Sequence, residues 1–133
     1  MKALSILVIG VGLCWAAAPA SAHHSFAAEF DLNQPITLKG TLTRLEWVNP
    51  HGWFHIDVKK PDGKVESWAI EASGATALLR AGMRQTDFKA GVALTVEGYR
   101  AKNGTNTAAG RTVKTADGRN FFVAGQQVGG PGQ

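Results

Sequence analysis

Cysteine is nearly absent from this 133-residue chain, which carries a single one at Cys14. That residue lies in the apolar leader described below. The domain that follows therefore has no disulfide, no thiolate metal site and no cysteine nucleophile, and its stability has to come from packing. Tyrosine is equally scarce, with Tyr99 alone. Positive charge exceeds negative only modestly, at +4 overall, and its Lys and Arg residues are scattered along the chain. A nucleic-acid footprint gathers such residues on one face, so no nucleic-acid partner is expected. A Ser-centred elbow, a phosphate loop and a dinucleotide fingerprint are also missing. The segment Gly91 to Gly98 has the glycines, but its apolar alternation reads as a strand. With no catalytic motif in view, the expectation is a binding protein rather than an enzyme.

One long hydrophobic run is present. Met1-Lys2 is a short basic start, Ala3 to Ala18 is apolar apart from Ser5, and Pro19-Ala20-Ser21-Ala22 follows. Small residues at Ala20 and Ala22 fit the pattern that signal peptidase accepts, which predicts cleavage before His23. The apolar run is shorter than the ~20 residues a bilayer-spanning helix needs, so no membrane span is expected after cleavage. Leu13 stands before Cys14 where a lipoprotein signal carries glycine or alanine, which argues against lipidation. The expected location is periplasmic or secreted. Removing the 22-residue leader leaves 111 residues, enough for one domain, and takes the formal charge to +3 because Lys2 leaves with it.

The mature chain divides into an arm over 23–35, a domain over 36–124 and a Gly- and Gln-rich tail over 125–133. The tail has too little apolar surface to order itself. From Ile36 to Asn49 apolar residues alternate on even positions through Leu42 and then on odd ones at Leu45 and Trp47. A single slip of phase near Gly40 predicts a β-bulge, which lets one strand bend and serve two sheets. Asn49-Pro50-His51-Gly52 is a turn. In the strand after it, Phe54, Ile56 and Val58 share the inner face, while Trp53, His55 and Asp57 share the outer one. Pro61-Asp62-Gly63 closes a hairpin with a third strand that carries Trp68 and Ile70. A short helix is expected between Ser73 and Met83, ending at Gly82. A strand over 92–98, a loop over 102–110 and a final hairpin around Ala116-Asp117-Gly118 complete the chain. Three strands, a helix, then further strands is the order of a five-stranded, OB-like Greek-key barrel. The alternative is a small open β-sandwich.

His23-His24-Ser25-Phe26 just after the leader and Glu46-Trp47-Val48-Asn49-Pro50-His51 after the first long strand give the chain a resemblance to a family of small secreted bacterial proteins, a domain of unknown function. The likeness runs on through Trp68, Glu71, Val96-Glu97-Gly98 and Asp117-Gly118-Arg119. What the resemblance implies is export and a compact β domain, and it carries no activity with it.

Cleavage before His23 would free an α-amino group beside an imidazole, so one residue could chelate a metal through its amine and its Nδ1. One further imidazole completes a three-nitrogen clamp that suits Cu(II), which favours tetragonal nitrogen coordination and binds most strongly among the divalent ions. His51 and then His55 are the candidates for the third ligand, with His24 as a substitute. The blander alternative is a disordered end, a turn histidine bonded to backbone and a solvated outer-face histidine. Acidic residues on strands, Glu46, Asp57, Glu66, Glu71 and Glu97, offer acid and base chemistry only if two of them meet in different environments. The OB-like fold suggests a third class, a metal-free module binding an envelope protein, a glycan or another small ligand through Trp53, Asp57 and Tyr99. The commoner fate of such aromatics is partial burial.

Overall fold

The computed structural model describes residues 26–125, so the leader, His23, His24 and all but the first residue of the Gly- and Gln-rich tail lie outside the described residues. A one-turn helix α1 (Phe26–Glu29) leads into a long strand β1 (Phe30–Glu46). There follow β2 (His51–Lys59), β3 (Val65–Ser73), a short helix α2 (Ala75–Arg80), a 3-10 turn (Gln85–Asp87), β4 (Ala93–Ala101), β5 (Thr107–Thr115) and the short β6 (Asn120–Phe122). The protein is thus a mostly antiparallel β domain with short helices.

The long first strand organises the sheet. Its first part, from Phe30 to Thr41, pairs with β4, and its last part, from Thr41 to Glu46, pairs with β2. The register of the second ladder shifts between Leu42 and Arg44, where the phase slip in the sequence predicts a bulge. Strands β2 and β3 form the expected hairpin, β4 and β5 another, and β6 adds to β5. A parallel ladder of three residue pairs, Ala69↔Thr107, Ile70↔Ala108 and Glu71↔Ala109, joins β3 to β5. The strands therefore close a ring β1-β2-β3-β5-β4-β1. Closure through so short a ladder makes a ring of strands rather than a clear barrel. No described helix is long and apolar enough to cross a membrane.

Alternation decides what fills the ring. Leu42, Phe54, Ile56, Ile70, Val96 and Val113 point inward and are fully buried, and Leu78 of α2 plugs one end together with Met83. Phe54 meets Phe88 edge to face at 5.8 Å between centroids, and Phe88 meets Phe121 in the same way at 5.7 Å. Gly98 sits where β4 and β5 approach closely: a Cβ there would lie 2.0 Å from the Ala109 carbonyl oxygen. Only glycine lets those two strands pair at that point.

Two stretches differ from the sequence expectation. The first strand starts at Phe30, not Ile36, so part of the predicted arm is strand. The predicted loop over 102–110 becomes strand at Thr107. Its buried residues are Ala108 and Ala109, too small to announce a strand by hydrophobicity.

Candidate functional site

Of the candidate residues, His51, Trp53, His55 and Asp57 lie on the outer face of β2, with Glu46 and Glu71 on the flanking strands β1 and β3, whereas Tyr99 is on β4. Asn49 and Pro50, joined by a cis peptide bond, turn the chain from β1 into β2. The Asn49 side chain accepts a hydrogen bond from the Thr76 backbone N–H at 3.2 Å and donates to the Thr76 hydroxyl at 3.3 Å. The Ala75 N–H donates to the Val48 carbonyl at 2.9 Å. The turn is thereby fastened to the start of α2, and helix-end donors gain the partners they lack within so short a helix. This fixes where β2 begins, and His51 is its first residue.

His51 Nδ1 lies 2.8 Å from Glu71 Oε1 of β3. A carboxylate only accepts, so a proton shared across this contact sits on Nδ1, and Nε2 is the ring nitrogen left for another partner. The imidazole is about half exposed, with 54% of the side chain accessible. An imidazole held through one nitrogen by a carboxylate and open at the other is the form that metal-ligating histidines take.

His55 also meets a carboxylate, but through its other ring nitrogen. Its Nε2 lies 2.7 Å from Glu46 Oε1 and 3.0 Å from Arg44 Nη2, and the same guanidinium forms an ion pair with Glu46 Oε1 at 2.8 Å. That nitrogen is engaged, and a fixed positive charge stands beside it. A cation approaching there would meet the arginine. Four residues apart on one strand, with Trp53 between them, His51 and His55 have Cα atoms separated by roughly 13 Å. The fold does not bring the two imidazoles together. Among the described residues no group of three or more His, Cys, Asp or Glu could hold a metal ion.

Register defines a row around the outside of the ring: Glu46↔Trp53↔Glu71↔Ala109↔Tyr99. Trp53 therefore lies between two carboxylates, each of which holds a histidine. Tyr99 is at the other end, three ladder steps or about 14 Å from Trp53. It belongs to a second apolar cluster outside the ring with Phe26, Phe30, Ala101 and Ala109. The rings of Phe26 and Tyr99 meet edge to face at 6.2 Å, and Phe26 is 5.2 Å from Phe30. Asp57 accepts a hydrogen bond from the Ser67 hydroxyl at 2.7 Å, further along the same outer face. Trp53, Asp57 and Tyr99 are thus not gathered at one place.

Residues 11–111 match the family of unknown function DUF6152. The chain belongs to that family. No curated protein and no solved structure matches it. In this DUF6152 chain the stretch Glu46 to His51 has a plain structural reading. Glu46 clamps His55, Asn49 fastens the turn to α2, and His51 opens β2 facing Glu71. The sequence brings out the histidines but not their carboxylate partners. Cross-strand register alone reveals that Glu46 and Glu71 each serve one of them, because the partners are 9 and 20 residues apart in the chain. The remaining strand carboxylates have other uses: Glu66 accepts from the Trp68 indole N–H, and Glu97 from the Thr112 hydroxyl.

Proposed function

We propose that this protein is an exported binding protein whose ligand is Cu(II) or a similar divalent ion, held by the α-amine and Nδ1 of His23 after leader cleavage and by Nε2 of His51. The single observation that carries this reading is the 2.8 Å approach of His51 Nδ1 to the Glu71 carboxylate on a half-exposed imidazole, which leaves Nε2 as the nitrogen available to an ion. Three nitrogens in this arrangement match the tetragonal preference of Cu(II). His55 is the poorer third ligand because Glu46 and Arg44 occupy its Nε2. His24 adjoins His23, and neighbouring residues reach one ion only with strain. The location is the periplasm or the cell exterior.

The rival reading, a metal-free module that grips a glycan or an envelope protein, lacks a comparable focus, since Tyr99 is covered by Phe26 and is distant from Trp53.

The test is competitive titration of Cu(II) against a chelator of known affinity, using tag-free chain that begins at His23. His51→Ala should weaken binding by at least the tenfold to hundredfold that loss of a ligand's supporting partner costs. His55→Ala should leave it nearly unchanged. Equal affinity for the natural chain and for His51→Ala removes the metal reading.

A further inference from the structure

We propose that Asn103 is a site of spontaneous modification: the Gly104 backbone nitrogen attacks its carboxamide, ammonia leaves, and the residue ends as aspartate or isoaspartate beside the seam that closes the strand ring. The inference is independent of the metal reading. Gly63, Gly104 and Gly118 each follow an Asp or Asn and adopt a left-handed conformation, with φ of 85°, 78° and 89°. In each turn a side-chain oxygen of the preceding residue accepts from the backbone N–H two places on. Asp62 accepts from Lys64 at 3.0 Å, Asn103 from Thr105 at 3.1 Å and Asp117 from Arg119 at 3.3 Å. The turns match in design and differ in chemistry. An ionised carboxylate repels a nucleophile, whereas the carboxamide of Asn103 is a neutral acyl group with ammonia to release.

The turn presents that group for attack. The ring closed by the bond from Thr105 N–H to Asn103 Oδ1 includes the Gly104 nitrogen, so the carboxamide is folded back toward it. Glycine has no Cβ to crowd the nitrogen, and the space a Cβ would occupy is open. The Gly104 N–H is weakly engaged, since its acceptor, the Ala101 carbonyl, is 3.4 Å away. Asn103 Oδ1 also accepts from the Thr105 hydroxyl at 2.7 Å. Two donors thus converge on the oxygen that becomes negative when nitrogen adds to Cγ, the means by which acyl-transfer sites stabilise such charge. Asn103, Gly104 and Thr105 are exposed to water. The other asparagines are worse placed. Asn33, Asn106 and Asn120 precede Gln34, Thr107 and Phe121, whose side chains crowd the attacking nitrogen, and Asn49 precedes Pro50, which has no N–H.

In the reaction the Gly104 nitrogen bonds to Asn103 Cγ and gives its proton to hydroxide. The adduct expels ammonia and leaves a cyclic imide, which water then opens at either carbonyl. Opening at Cγ gives aspartate on the original main chain. Opening at the main-chain carbonyl gives isoaspartate and routes the chain through Cβ and Cγ. This loop carries β4 into β5, and its last residue meets β3: the Ala69 N–H donates to the Asn106 carbonyl at 3.0 Å, directly before the short parallel ladder. A longer main chain just ahead of that bond displaces Asn106. The added carboxylate also draws on Arg100, which otherwise donates to the Gly104 carbonyl at 3.3 Å. The isoaspartate form therefore closes the ring less firmly.

The purified protein is aged at mildly alkaline pH and digested, and mass spectrometry follows each asparagine, with enzymatic methylation to tell isoaspartate from aspartate. Conversion should occur at Asn103 ahead of Asn33, Asn106 and Asn120, with no isoaspartate at Asp62 or Asp117 over the same period. The aged protein should melt at a lower temperature, and Asn103→Gln aged alongside should not. Thr105→Val, which removes one of the two donors, should slow conversion by about twofold to tenfold, the worth of one hydrogen bond. Thr105→Ser keeps the hydroxyl and should restore the rate. Earlier conversion at another asparagine overturns the site. An unchanged or faster rate in Thr105→Val overturns it as an activated one, since the hydroxyl would then only pin the side chain. A converted protein that melts with the unaged one overturns the link to ring closure.

Discussion

A chain lengthened by Gly-Ser-Gly-Ser in front of His23 should lose most of its Cu(II) affinity while keeping its fold and melting temperature. The extension turns the amine of His23 into an amide and moves the new amine too far away to share a chelate ring with either leading histidine. One change thereby removes the nitrogen and the ring closure that make His23 bidentate. The loss should exceed the tenfold to hundredfold that a missing supporting partner costs. The fold should not respond, because among the described residues α1 is packed by Phe30, Tyr99, Ala101 and Ala109, all downstream of the extension. Chelator competition measures the affinity, and a melt followed by circular dichroism checks the fold. An extended chain that binds as tightly as the cleaved one would mean that the ion, if held at all, is held elsewhere.

Phe54→Ala should have the largest effect on stability. Phe54 is fully buried, points into the ring from β2 and begins the edge-to-face series Phe54, Phe88, Phe121 that links β2 to the segment after α2 and to β6. Truncation opens a cavity that a closed ring cannot easily collapse, and such changes cost about 3–5 kcal/mol. A domain of this size is stable by only about 5–15 kcal/mol, so the variant should lose a large share of its stability and melt at a markedly lower temperature. With a single cysteine in the sequence, no internal disulfide offsets the loss. Denaturant unfolding followed through tryptophan fluorescence measures it, and a loss below about 1 kcal/mol would show that the ring interior is more adaptable than the packing implies. The same substitution on the outer face, at Trp53, should cost far less, because that side chain is only partly buried.

These two expectations reflect what the sequence makes legible. The inner residues of β2 and β3 are legible because strict alternation over nine residues has a period of two and nothing interrupts it. The bulge in β1 is legible as a slip of phase. Helix α2 is legible through its helix formers and through Gly82, which adopts a φ of 86° just past the helix end. The start of β1 is not legible, because Asp31, Asn33, Gln34 and Pro35 look like a loop and Leu32 is exposed. Strand β5 begins with Thr107-Ala108-Ala109, whose small side chains are buried by close approach to β3 rather than by their own hydrophobicity. The histidines of the candidate site are legible by type and position. Their ranking is only partly so. His51 precedes His55 as a candidate because of its turn, but the physical reason is the pairing of His51 with Glu71 and of His55 with Glu46 and Arg44. Those are tertiary contacts across three strands. Tyr99 shows the same limit, since as an isolated tyrosine it suggests a stacking surface, whereas in the fold its ring packs against Phe26 beside Ala109.

The central claim concerns the amino terminus, and the most direct measurement is the intact mass and copper content of the protein isolated from its native envelope without added metal or tag. The account predicts a chain that begins at His23, lacks residues 1–22 and carries one copper ion. A chain retaining the leader, or one cut at another bond, would contradict it, because neither offers an α-amine beside the imidazole of His23.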